Sequence, residues 1–186
     1  MEVKTSQHIS CENSKETLES LEKSVYSIKL GDLNYEDSLK LAEELKEEGN
    51  KLLNKNKFAD AVDKFTDAIN LGIETKKNSI YYSNRAFCNI KLENFGFAIQ
   101  DANKAIEIDE NYIKAYYRRA SANLFLFDYE EAVKDLQFLS RKFPQDPALA
   151  DKLQKAKAER KKKRFLDSLK GEKVDEPYYI NVTFKI

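Results

Sequence analysis

The sequence repeats itself with a period of 34 residues, and this restricts the fold more than any other feature. Placing Ala98 on Ala132 also brings Ala86 onto Ala120 and Phe95 onto Tyr129, each at a spacing of 34. A step of 37 in the other direction takes Ala98 to Ala61, Phe95 to Phe58 and Ala86 to Gly49. Three units therefore start near Ala42, Ser79 and Ile113, with three extra residues between the first and the second. The insertion falls within 71–79, where Gly72 and the polar run Thr75-Lys76-Lys77-Asn78 read as a loop. A unit this short cannot bury its apolar face alone, so successive units must stack.

Within each unit the apolar spacing is that of two antiparallel helices. Leu41, Leu45, Gly49 and Leu52 recur at helical intervals, Asn54-Lys55-Asn56-Lys57 interrupts them, and Phe58, Ala61, Phe65 and Ala68 resume. Gly49, Ala86 and Ala120 on the first helices, with Ala61, Ala98 and Ala132 on the second, let neighbours approach closely. Phe58, Phe95 and Tyr129 are expected to fill the gaps between layers. With 5 Gly, 3 Pro and no Trp in 186 residues, a turn-rich β-sandwich is disfavoured and an all-α chain is expected.

A stacked array needs a polar-faced helix at its end, and 147–170 supplies one. Leu149, Leu153 and Ala156 form its apolar stripe, followed by the basic run 160–164, which reads as a solvated helix end, and by Phe165 and Leu169. The organisation predicted is a polar leader at 1–35, three repeats over 36–146 (42–78, 79–112 and 113–146), a capping helix at 147–170 and a linker or tail at 171–186. Leu18, Leu21, Val25 and Ile28 predict a weak amphipathic helix over 15–30 of the leader. In the tail, Ile180, Val182, Phe184 and Ile186 alternate with polar residues as a half-buried strand would. A lone strand is not stable, so the tail points toward an absent domain or pairing with another chain.

Several function classes are disfavoured. Lys and Arg number 32 and Asp and Glu 32, so the chain lacks the positive excess of a generalised nucleic-acid binder. No apolar stretch approaches a membrane span. The balance hides a gradient: 1–48 holds 12 acids and 6 lysines, whereas 147–170 holds 9 bases and 3 acids. Cys11 and Cys88 form no metal or redox spacing, and Cys88 reads as a small buried hydrophobe. Met1-Glu2-Val3-Lys4 does not open a signal peptide, and a cytoplasmic or nuclear location is expected. The sole histidine is His8, and no phosphate loop, nucleophile elbow or zinc-protease motif occurs. No enzyme activity and no cofactor are expected of this chain.

A 34-residue helix-turn-helix period with small residues at its eighth, twentieth and twenty-seventh positions resembles the tetratricopeptide repeat. Pro144 stands at the expected thirty-second position of the third unit. Ile73 and Glu110 replace that proline in the other two, Asn89 and Asn123 occupy a usual tyrosine site, and Leu139 replaces the last small residue. The resemblance implies three repeats in a right-handed superhelix of six helices, whose concave wall is lined by the first helix of each pair.

Polar residues on those first helices are the functional candidates. Lys46 and Asn50 share a face of the first, Asn84 lies on the second, and Lys114 and Arg118 share a face of the third. Two lysines, an arginine and two amides make a donor-rich set that suits a ligand with two carboxylates, such as a C-terminal Asp. The five positions match the two-carboxylate clamp of chaperone-binding tetratricopeptide repeats. That match implies as partner the acidic C-terminal peptide, ending Glu-Glu-Val-Asp, of a ninety-kilodalton or seventy-kilodalton heat-shock chaperone. The runs Asn94-Phe95-Gly96-Phe97-Ala98 and Tyr112-Ile113-Lys114-Ala115-Tyr116-Tyr117-Arg118-Arg119-Ala120 are similar to the repeat region of the protein serine/threonine phosphatase 5 family. This implies a regulatory region that restrains a metal-dependent catalytic domain, itself a second partner, whose His- and Asp-rich centre this chain does not supply. Another co-chaperone's repeats, or a scaffold binding through its convex face, are the alternatives. Tyr116, Tyr117 and Arg119 read as packing and surface.

Overall fold

The computed structural model describes residues 34–73 and 75–171. Its elements are α1 (Tyr35–Asn54), α2 (Phe58–Asn70), α3 (Asn78–Lys91), α4 (Phe95–Ile108), α5 (Ile113–Phe125), α6 (Tyr129–Lys142) and α7 (Pro147–Gly171), with no strand among the described residues. α1 pairs with α2, α3 with α4 and α5 with α6, each pair packs on the next, and α7 covers the last. This is the expected all-α array of three helix pairs and a terminal seventh helix. The weak helix at 15–30 and the strand-like tail at 178–186 lie outside the described residues.

The turn inside each pair is built the same way three times. Asn56 (φ 58°), Glu93 (φ 61°) and Phe127 (φ 56°) stand at equivalent repeat positions, all left-handed. After each, an amide reaches back five residues to the preceding helix: Lys57 to the Leu52 carbonyl at 3.0 Å, Asn94 to Asn89 at 2.8 Å and Asp128 to Asn123 at 2.9 Å. A left-handed residue here lets free carbonyls of the last helical turn find donors. Glycine is the usual occupant, so the periodic backbone bonds, not glycine, hold this conformation. Among the described residues the left-handed glycine is Gly72 (φ 65°), in the longer connection between the first and second pairs. Side-chain caps mark some helix starts: Asn34 accepts from the Asp37 amide at 2.9 Å, and Asp146, just before Pro147, accepts from those of Ala148 and Leu149 at 3.0 and 3.1 Å.

The small residues sit where helices touch, and facing residues compensate their volumes. Gly49 opposes Phe65, and a Cβ added at Gly49 would lie 2.8 Å from that fully buried ring. The equivalent position is Ala86 in the second pair and Ala120 in the third, while the equivalents of Phe65 are Ala102 and Leu136, all buried. Ile73 and Leu139, which depart from the repeat pattern, are buried as well. Ile73 joins Ala42, Leu45, Ala68 and Tyr81, and Leu139 joins Leu149, Leu153 and Ala156 of α7. Leu139 is large because its neighbour is the cap and not another repeat. Phe95 stacks on Phe125 at 4.7 Å and Tyr116 on Phe138 at 4.2 Å.

An ion pair ties the two helices of every unit at one repeat position. Arg85 donates to Asp101 through two nitrogens, at 3.0 and 2.6 Å, and Arg119 does the same to Asp135, at 2.9 and 2.7 Å. The residues at the same positions of the first unit are Glu48 and Lys64, which pair at 2.9 Å with the charges exchanged. Asn89, at the usual tyrosine site, adds a bond to Asp101 at 3.2 Å. Arg119 belongs to this framework. The basic run of α7 is partly tethered too: Arg160 and Arg164 both pair with Glu130, and Lys163 bonds the Phe127 carbonyl at 2.9 Å.

Two stability predictions follow from this packing. Asp135→Ala strands a partly buried guanidinium and is expected to cost about 3 kcal/mol in urea unfolding, whereas Lys64→Ala, at the exposed counterpart, costs under about 1 kcal/mol. Gly49→Ala is expected to lose about 1–2 kcal/mol despite the better helix propensity of alanine, and Phe65→Leu on that background recovers part of the loss.

Candidate functional site

Stacking of the pairs brings α1, α3 and α5 side by side, so that residues 34 apart in sequence meet. The Asn84 Nδ2 donates to Asn50 Oδ1 at 3.1 Å. Arg118 donates through Nη2 to Asn84 Oδ1 at 3.2 Å, and through Nη1 to the Ser83 hydroxyl. The next step of 34 is Lys152 on α7, which donates to the Tyr117 hydroxyl at 2.8 Å and lies 4.5 Å over its ring. The cap thus takes the place of a fourth first helix.

The chemistry of this ladder sets its own polarity. A guanidinium only donates, so the Asn84 atom facing Arg118 is the oxygen, and the Asn84 amide nitrogen faces Asn50. Asn50 must then turn its own oxygen toward Asn84, which leaves its NH2 free to donate elsewhere. One arginine therefore orients two amides so that donors remain for a ligand.

Arg118 differs from Arg85 and Arg119 in its company. Arg85 and Arg119 are each neutralised by an aspartate. Arg118 is held by the Ser83 hydroxyl, the Asn84 amide and the Phe87 ring, 5.5 Å from its guanidinium carbon, and makes no ion pair among the described residues. Burial pulls its pKa down to about 10, opposed by Tyr112 and Cys88, so it is still a cation at neutral pH. Burial likewise pushes the Cys88 thiol up to about 11, which keeps it protonated and inert. A partly desolvated cation among neutral acceptors is an incomplete arrangement that an anion completes.

The other predicted residues sit around this centre. Lys114, exposed and one turn before Arg118, shares with it the wall of a cavity of about 400 Å³, which Phe87, Ile90, Lys91 and Tyr117 also line. Lys46, one turn before Asn50, is occupied by Glu43 of its own helix. So Asn50, Asn84 and Arg118 are joined by direct bonds, Lys114 borders the same cavity, and Lys46 carries a resident carboxylate that a ligand must displace. The sequence reasoning missed Ser83, Tyr112, Phe87 and Lys91. Lys91 had a signal, being seven residues after Asn84 and on the same helical face. Tyr117, read as packing and surface, instead lines the cavity. Among the described residues no group of His, Cys, Asp and Glu is arranged to hold a metal, and no helix is long and apolar enough to cross a membrane.

No protein-family model matches the chain. Rat serine/threonine-protein phosphatase 5 is 35% identical over 137 residues, 74% of this chain and 27% of that protein. The chain thus spans about a quarter of the length of such curated relatives. Among solved structures, the Arabidopsis OM64 TPR domain is 31% identical with a TM-score of 0.60, matching 65% of this chain and 98% of that one. The first TPR of Spaghetti (RPAP3), bound to the HSP90 peptide SRMEEVD, is 30% identical with a TM-score of 0.60, matching 64% of this chain and 92% of that one. The chain belongs to the tetratricopeptide repeat family and is homologous to part of serine/threonine-protein phosphatase 5.

Proposed function

We propose that this chain is a peptide-binding module that captures the acidic C-terminal tail of a ninety-kilodalton or seventy-kilodalton heat-shock chaperone. Lys46, Asn50, Asn84, Lys114 and Arg118 grip the two carboxylates of the terminal Asp. The observation that carries this reading is the partly buried Arg118 cation, which makes no ion pair among the described residues, beside amides whose donors are left over. The similarity to the Spaghetti domain, solved with an HSP90 peptide in place, supports the same ligand class. Phe87, Ile90 and Tyr117 offer apolar surface next to the clamp for a side chain upstream of the terminus, and Lys91 offers a charge for an acidic one. Homology to phosphatase 5 supports a second element of the proposal: the chain is non-catalytic and acts as the regulatory region for a phosphatase catalytic domain.

Affinity should lie on the order of micromolar, because a short flexible peptide is ordered on binding. In calorimetric titration, Ser-Arg-Met-Glu-Glu-Val-Asp with a free C-terminus is expected to bind and its C-terminal amide to bind at least about tenfold more weakly, the difference shrinking as salt rises. Arg118→Ala or Lys114→Ala should each lose about tenfold with helicity unchanged. Equal binding of acid and amide contradicts the proposal. Asn84→Asp is a sharper variant: the new carboxylate satisfies Arg118 from within, so binding should fall further than in Asn84→Ala.

A further inference from the structure

If the groove binds a carboxylate, the fold must keep a partly buried arginine both fixed and electrostatically available. Ser83 is fully buried, and its hydroxyl accepts from Arg118 Nη1. Ser83 does not lie on the exposed wall of the groove and is not a charged partner. We propose that Ser83 is a positioning residue, which orients the Arg118 guanidinium from behind with a neutral oxygen and so leaves its charge for the ligand.

Comparison within the chain supports this assignment. At Arg85 and Arg119 the fold uses an aspartate, which fixes the guanidinium through two bonds and neutralises it. At Arg118 the same geometric task falls to a hydroxyl and an amide oxygen. Of five guanidinium N–H groups these two acceptors take two, which leaves three for a carboxylate. A preoriented donor set binds more tightly than one that must be ordered by its ligand. Ser83 stands beside Asn84 in sequence but points from the helix one position earlier, toward the core.

The test uses two readouts on the same chain. The first is the guanidinium nitrogen spectrum of Arg118 in the free protein, where a held side chain gives separate Nη signals. The second is titration with Ser-Arg-Met-Glu-Glu-Val-Asp. Ser83→Ala is expected to merge the Nη signals and to weaken binding about fivefold, with the slope of affinity against salt unchanged because no charge is removed. Ser83→Thr, which keeps the hydroxyl, should restore both. Ser83→Asp should keep the Nη signals separate while binding is lost, since Arg118 then has an internal counter-ion. Separate signals and wild-type affinity in Ser83→Ala overturn the proposal while the clamp stands. Wild-type affinity in Arg118→Ala is a different result: it removes the carboxylate reading, and this inference with it.

Discussion

Helices of this chain can stack in register only because a small residue stands at each point of closest approach, and the site depends on that register. Gly49, Ala86 and Ala120 occupy one repeat position, and Gly49 is forced by the buried Phe65 ring across from it. With the pairs formed, the units stack and their first helices lie side by side. This joins Asn50, Asn84 and Arg118 across three helices, although the longer connection after α2 puts Asn50 at a different repeat position from the other two, and α7 continues the row with Lys152 on Tyr117. The groove is a consequence of packing and needs no loop to build it.

Arginine does two jobs in neighbouring positions, and the difference is what it is paired with. Arg119 faces Asp135 inside its own helix pair and fixes the angle between the two helices. Arg118, one residue earlier, turns to the previous unit and finds only neutral oxygens. A structural arginine is neutralised, and a ligand-binding one is held without being neutralised. The first unit swaps the structural pair to Glu48 and Lys64, so the charge signs are free to vary where geometry is all that matters.

The periodicity made most of the fold legible: small residues at a spacing of 34 and 37, polar breaks between helices and Pro147 at the cap all mark positions where the backbone has little choice. The five donor positions were legible for the same reason, since the repeat assigns each a helix and a face. Ser83 was not, because a serine beside an asparagine carries no periodic signal. Its contact with Arg118 exists only once two units are stacked. The Lys46–Glu43 pair was also hidden, although its i, i+3 spacing was visible, because acidic and basic residues are so frequent that such pairs are mostly incidental.

The central claim is that an anion completes Arg118 in the concave groove. Its most direct test is to map, by NMR, which side chains respond when the free-acid chaperone peptide is added to the labelled protein. Shifts are expected at the side-chain amides of Asn50 and Asn84 and at the Arg118 guanidinium, with α2 and α4 unmoved. Shifts confined to α2, α4, α6 or the basic run of α7, with these three groups silent, would contradict it.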